Sequence, residues 1–217
     1  MSDDEFLMAR KRMVEQQILA RGVREPRLLA AMEYVPRHRF IPTDDLAWAY
    51  EDGPLPIGHG QTISQPYIVA LMTEYLQLTG VERVLEIGTG CGYQAAVLGQ
   101  MVKEVHTVEV IPELAARATQ ILSDLGYSNI YVHCGDGSLG WPVAAPYEGI
   151  LVAAAAPAAP QPLLDQLAEG GQLVIPVGDR GSQQLEIWKR TNQKFESRVG
   201  LLVTFVPLRG EYGWKKS

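Results

Sequence analysis

Apolar positions in the first third of the chain recur at helical spacing. Leu7, Val14 and Ile18 fall on one side of a helix predicted over residues 5–21, which ends near Gly22. Pro26, a favoured first-turn residue, opens a second helix that must stop before Pro36. Periodicity then vanishes between residues 36 and 65, a Pro- and Gly-rich connection of a length that compact domains usually reserve for function. It returns in YIVALMTEYLQL, a helix running to about Gly80.

From Val84 the pattern changes to short β-rich runs alternating with helical segments. VLEIG, KEVHTVEV, NIYVHCGD, YEGILVAAAA and GQLVIPVG read as strands, separated by the helical runs YQAAVLGQM, PELAARATQILSDLG and a helix within residues 160–169. Such alternation requires right-handed crossovers and a mostly parallel sheet with helices on both faces. QLEIWKRT and RVGLLVTFVPL follow one another without a helix, so an antiparallel strand pair closes the sheet. The expected fold is a doubly wound α/β domain over residues 1–217, with a helical cap and loop in 1–80 and a Rossmann-like core in 81–217.

Composition narrows the function. A chain of 217 residues with 47% hydrophobic and 20% charged content can bury a full core as one domain. Net charge is −6 and Lys and Arg form no long stripe, which argues against nucleic acid. The N-terminal MSDDEF carries acids where a secretory signal carries bases, and the longest uncharged run, GILVAAAAPAAPQPLL, is broken by Pro157, Pro160 and Pro162. No membrane span and a cytoplasmic location are therefore expected. Two cysteines and four scattered histidines offer neither a disulfide framework nor a zinc ligand set, so no metal is expected.

The candidate chemistry begins at VLEIGTGCGYQAAV, where a strand runs into Gly88, Gly90 and Gly92 and then a helix, the arrangement that holds nucleotide-like cofactors. GCGYQA also fits the loose dinucleotide fingerprint, so nicotinamide and flavin ligands stay in contention. Glu86 weighs against them, since a carboxylate there would repel a pyrophosphate and welcome the cationic groups of S-adenosylmethionine. Glu109, 21 residues after Gly88, can accept from ribose hydroxyls, and Asp136 in GDG from an adenine amino group. The plainer alternatives are that Glu86 pairs with an Arg, the glycines serve close packing and Asp136 makes an Asx-turn.

Upstream, LPIGHGQTISQP contains no Lys, Arg, Asp or Glu and stops where a helix starts. It reads either as a loop in which Ser64 caps that helix or as a cover that presents Ser64 to a ligand. This stretch, with VLEIGTGCGYQ, VEV, GDG, VIPVG and FVPL, resembles the protein-L-isoaspartate O-methyltransferase family over about residues 10–209. The resemblance implies a class I S-adenosylmethionine-dependent methyltransferase fold. It also implies methyl transfer to the free α-carboxylate of L-isoaspartyl residues in peptides and proteins, leaving S-adenosylhomocysteine. The ester then cyclises to a succinimide that can reopen to normal Asp, so methylation initiates repair. By position, Ser64 is the implied catalytic and substrate-binding residue. Gln61, Thr62, Ile63, Glu86, Gly88, Gly90, Glu109, Asp136 and Gly137 form the implied cofactor shell, and Val206, Pro207 and Leu208 a substrate wall. His59 and Cys91 depart from the family pattern; they read as a water-facing loop imidazole and a small packing residue. Alternative functions are methylation of a normal Asp in one dedicated peptide, non-catalytic S-adenosylmethionine binding and nicotinamide oxidoreduction.

Overall fold

The first predicted helix is present, but its winding changes along its length. In the structure, a computed structural model describing residues 2–214, α1 spans Asp3–Met13, is capped by Ser2, and continues as one π turn, Val14–Ile18, and one 3₁₀ turn, Leu19–Arg21. Gly22 closes it at φ 102°, a left-handed conformation suited to Gly. Helix α2 spans Pro26–Tyr34 and stops at Val35, whose extended backbone accommodates Pro36.

The connection expected over residues 36–65 has structure of its own. Two 3₁₀ turns, Arg37–Phe40 and Thr43–Trp48, lead into an antiparallel hairpin of β1 (Leu55–Gly58) and β2 (Gln61–Ile63). The hairpin turn is His59–Gly60, at φ 54° and 71°, the left-handed pair that a tight hairpin requires. Ile57 and Ile63 are buried beneath it, whereas His59 is exposed. The fully buried Arg37 anchors the approach, its Nε donating to the Ala49 carbonyl at 2.9 Å.

Helix α3 (Pro66–Tyr75) follows, then β3 (Arg83–Ile87), α4 (Tyr93–Gly99), β4 (Glu104–Glu109), α5 (Pro112–Asp124), β5 (Ile130–Cys134) and β6 (Tyr147–Val152). Helix α6 (Gln161–Asp165) leads to β7 (Leu167–Gly178), β8 (Gln183–Thr191) and β9 (Lys194–Val203). The seven-stranded sheet has the order β5-β4-β3-β6-β7-β8-β9, parallel through β7 and antiparallel at β8 and β9. This is the expected doubly wound architecture. The chain moves outward from β3 through β4 to β5 and then returns to place β6 on the other side of β3. That reversal opens a crevice at the carboxyl ends of the strands, where such sheets bind ligands.

Two strands differ from expectation. β7 begins at Leu167, four residues before the predicted GQLVIPVG, through a bulge that shifts its register on β6 between Tyr147 and Gly149. β9 ends at Val203, so FVPL is not part of it. The Gln183 side chain caps the departing chain by accepting the Phe205 N–H at 2.8 Å, and Pro207 has no N–H with which to continue a ladder.

The alternating faces of the sheet bury two cores. Val84, Val105, Leu151 and Val174 pack with the cap and with α3–α5, while Leu85, Ile87, Val108, Ile150 and Val152 pack with Leu163 and Leu164 of α6. Phe40 meets the Tyr93 ring edge-on at 5.6 Å, which ties the cap to the helix behind the Gly-rich turn. Among the described residues no helix is long and apolar enough to cross a membrane.

Candidate active site

A cleft lies at the ends of β3 and β4 beside the reversal point, the place where open α/β sheets bind ligands. Gln61, Thr62, Ile63, Ser64, Glu86, Gly88, Gly90, Glu109, Gly137, Val206, Pro207 and Leu208 all line it. Of the implied cofactor and substrate residues, Asp136 alone stands outside that lining.

The Gly-rich turn leaves β3 with Gly88 at φ 91°, Gly90 at 55° and Gly92 at 93°, all in the region that disfavours side chains. The N–H groups of its three glycines are already engaged. Gly88 donates to the Val108 carbonyl at 2.9 Å, Gly90 to Glu109 Oε2 at 2.8 Å and Gly92 to the Thr89 carbonyl at 2.8 Å. A pyrophosphate would need such donors, and the glycines have none left to offer. Gly137 has a different reason for being Gly: a Cβ there would lie 2.5 Å from Ile87 Cγ2.

Glu86 is fully buried and makes no ion pair among the described residues, so the pairing with Arg does not occur. Its Oε2 accepts the Thr107 hydroxyl at 2.6 Å, and Oε1 has no partner. Burial, reinforced by the Glu109 charge and opposed by the Thr107 bond, pushes its carboxyl up to about 8. Glu109 accepts the N–H groups of Gly90 and of Ile111, the latter at 3.0 Å on Oε1, so the end of β4 and the Gly-rich turn are locked together at its carboxylate.

Asp136 makes the Asx-turn. Oδ1 accepts from the Ser138 N–H at 2.9 Å and the Ser138 hydroxyl at 2.7 Å, while Oδ2 accepts from the Glu211 N–H at 2.8 Å. It lines a neighbouring cavity that shares Val110, Ile111 and Arg209 with the cleft.

Ser64 does not cap α3. The cap position belongs to Gln65, which makes no side-chain capping bond, and Pro66 at the first helical position has no N–H to satisfy. The half-buried Ser64 instead stands between two cavities. The second is a groove whose lining shares Thr62, Ser64, Ala153, Phe205 and Val206 with the cleft and adds Pro54, Gln65, Ile68, Ser182, Leu202, Val203 and Thr204. None of these side chains is charged. Cys91 is buried, and burial pushes its thiol up to about 11, leaving it a packing residue with little thiolate at neutral pH.

The FVPL segment reaches the cleft by pairing with the Ala-rich run after β6. Ala155 donates to the Val206 carbonyl at 2.8 Å, and the Leu208 N–H donates to Ala155 at 2.7 Å. Sequence reading missed Ala153 and Ala154, and also Val110 and Ile111, all of which line the cleft. The signal for the last pair was an apolar VI directly after the strand-end acid, with Val110 left 42% exposed at the cleft.

The protein-L-isoaspartate(D-aspartate) O-methyltransferase family model matches residues 8–213. A protein-L-isoaspartate O-methyltransferase of Picosynechococcus sp. is 57% identical, over 97% of this chain and 95% of its own length. One from Syntrophobacter fumaroxidans is 53% identical, over 97% and 98%. A solved protein-L-isoaspartate O-methyltransferase superposes with a TM-score of 0.86 at 29% identity, covering 94% of this chain and 67% of its own. A Plasmodium falciparum structure titled as a putative member, in complex with S-adenosyl-L-homocysteine, shares the fold with a TM-score of 0.80 at 24% identity, over 92% and 98%. On this evidence of sequence and fold the chain belongs to the protein-L-isoaspartate(D-aspartate) O-methyltransferase family.

Proposed function

We propose that this protein methylates the free α-carboxylate of L-isoaspartyl residues in peptides and proteins, with S-adenosylmethionine as donor, and so initiates their repair. The observation that carries this reading is the junction of the cleft and the uncharged groove at Thr62 and Ser64. When bound, S-adenosylmethionine supplies an electrophilic methyl group on a sulfonium.

The residues of the cleft fit that ligand. Glu86 presents an unpartnered buried oxygen, which suits a cationic centre, and Glu109 has acceptor capacity beyond its two backbone bonds, which suits ribose hydroxyls. Gln61, Thr62 and Ile63 form the hairpin wall, Gly88 and Gly90 admit a ligand close to the backbone, and Gly137 packs the floor. Asp136 keeps one acceptor site on Oδ2 for an adenine amino group reaching past Val110 and Ile111.

The substrate carboxylate is ionised at neutral pH, with an ordinary pKa of about 4, so no general base is needed. The protein must position it and exclude water. The groove offers it no competing cation, and charge attraction there exceeds that in water about fourfold at an effective dielectric near 20. Ser64 donates to the carboxylate, while Val206, Pro207 and Leu208 hold the peptide beside it.

The test is incubation with labelled S-adenosylmethionine and a matched pair of isoaspartyl and aspartyl peptides. Methyl ester should form on the isoaspartyl peptide alone. Equal rates would point to a normal Asp as substrate, and cofactor binding without turnover on either peptide would point to a binding protein.

A further inference from the structure

Glu86 carries an unusual burden for a residue at the wall of a ligand cleft. No part of it is exposed. For an ionised Glu86, Thr107 donates its hydroxyl proton to Oε2 and Thr89, 2.6 Å from Thr107, donates in turn to the Thr107 oxygen, so this chain of hydroxyls ends on one carboxyl oxygen. Oε1 receives nothing, although it is buried in a residue that lines the cleft.

The groups around it supply no compensating charge. β4 contributes Thr107 and the like-charged Glu109, and the Gly-rich turn contributes Thr89 and Cys91. Around the same cleft, α3 contributes the apolar Val69 and Met72, β6 contributes Leu151, α4 contributes Tyr93 and Gln94, and the C-terminal segment contributes Arg209, which does not act on the Glu86 carboxyl. Arg37 and Arg117 act on the Cys91 thiol rather than on Glu86. An ionised carboxylate with one hydrogen bond, a like charge nearby and no cation is strongly disfavoured.

We infer that the ligand-free protein holds a proton on Glu86 and releases it to solvent when a cationic centre of the cofactor reaches Oε1, so that cofactor uptake is proton-coupled. This rests on the cofactor assigned under the proposed function. One positive charge leaves the cleft as another enters, and its net charge is preserved. The upward displacement of the Glu86 carboxyl to about 8 agrees with this exchange, since most sites are then protonated near neutral pH.

The proton count is measured by titration calorimetry of the full chain with S-adenosylmethionine, in buffers of low and high ionisation enthalpy. The slope of observed heat against buffer ionisation enthalpy should show net proton release on binding near neutral pH, approaching one proton per site as pH falls and vanishing as pH rises through the raised pKa of Glu86. Affinity should rise by up to about tenfold per pH unit below that pKa. Repeating the titration with S-adenosylhomocysteine locates the charge: release with both ligands assigns the ammonium group, and release with S-adenosylmethionine alone assigns the sulfonium. Glu86→Gln, permanently neutral and nearly the same shape, should bind without proton release. Binding by the parent protein with a slope of zero would overturn the proton coupling and leave the cofactor assignment standing. Failure of the parent to bind either ligand would overturn both. The parent's slope needs no variant, so the outcome does not depend on how Glu86→Gln folds.

Discussion

Glu109 shows how one side chain can serve local structure and ligand at once. Its carboxylate joins the Gly-rich turn to the start of α5 through the Gly90 and Ile111 N–H groups, and its remaining acceptor sites face the cleft. Glu109→Gln keeps the shape, loses the charge and places an amide donor where two backbone donors converge. The expected result is a loss of about 1.5–3 kcal/mol in S-adenosylhomocysteine affinity, since bonds to a charged acceptor are removed. Calorimetry on the folded variant checks it, and unchanged affinity would remove Glu109 from the cofactor site. Glu86 and Glu109 were legible as cleft residues because each stands at the carboxyl end of one of two successive parallel strands, where an open sheet leaves a crevice. Asp136 was legible as a position but not as a geometry. Its Asx-turn onto Ser138 is local and was among the readings of GDG, but its bond from the Glu211 N–H depends on a C-terminal segment 75 residues away folding back onto it.

The hairpin is the element on which the site most depends, and the one that periodicity could not reveal. The cores of β3, β6 and β7 are runs rich in buried apolar residues, and β4 carries β-branched Val105, Thr107 and Val108, so their composition announced them. β1 and β2 have four and three residues, with only Ile57 and Ile63 buried, too few positions to establish an alternation. The turn chemistry was there to be read in GHG between two isoleucines. Gly60 sits at φ 71° with nothing within 4 Å of where a Cβ would be, so Gly is needed for backbone conformation and not for space. Gly60→Ala should therefore lower stability by about 1–2 kcal/mol, the usual penalty for an L-residue in the left-handed region. Thermal or denaturant unfolding measures this. A variant as stable as the parent would show that the turn relaxes freely to another conformation. FVPL was misplaced for a related reason. Its composition suits a strand, but the Gln183 cap and Pro207 send it across to Ala155, and that partner is invisible in a local pattern.

As a whole the molecule places a helical cap and hairpin over the reversal point of a parallel sheet, so that residues from both ends of the chain enclose one ligand site. The order of strands followed from their alternation with helices and from the handedness of crossovers. The junction of cleft and groove did not, because it requires segments 61–64, 153–154 and 205–208 to meet. Ser64 lies at that junction, and since Gln65 rather than Ser64 occupies the cap position of α3, its hydroxyl is not committed to the helix. Removing that hydroxyl therefore tests the account with little interference from stability. Initial rates of Ser64→Ala on an isoaspartyl peptide, at saturating S-adenosylmethionine and with unfolding followed in parallel, should show kcat/KM lowered about ten- to a hundredfold, the worth of a hydrogen bond to a charged group. Cofactor affinity and melting temperature should stay close to those of the parent. A rate within about twofold of the parent, well under 1 kcal/mol, would contradict the role of Ser64 in orienting the carboxylate and with it the meeting of donor and acceptor at this junction.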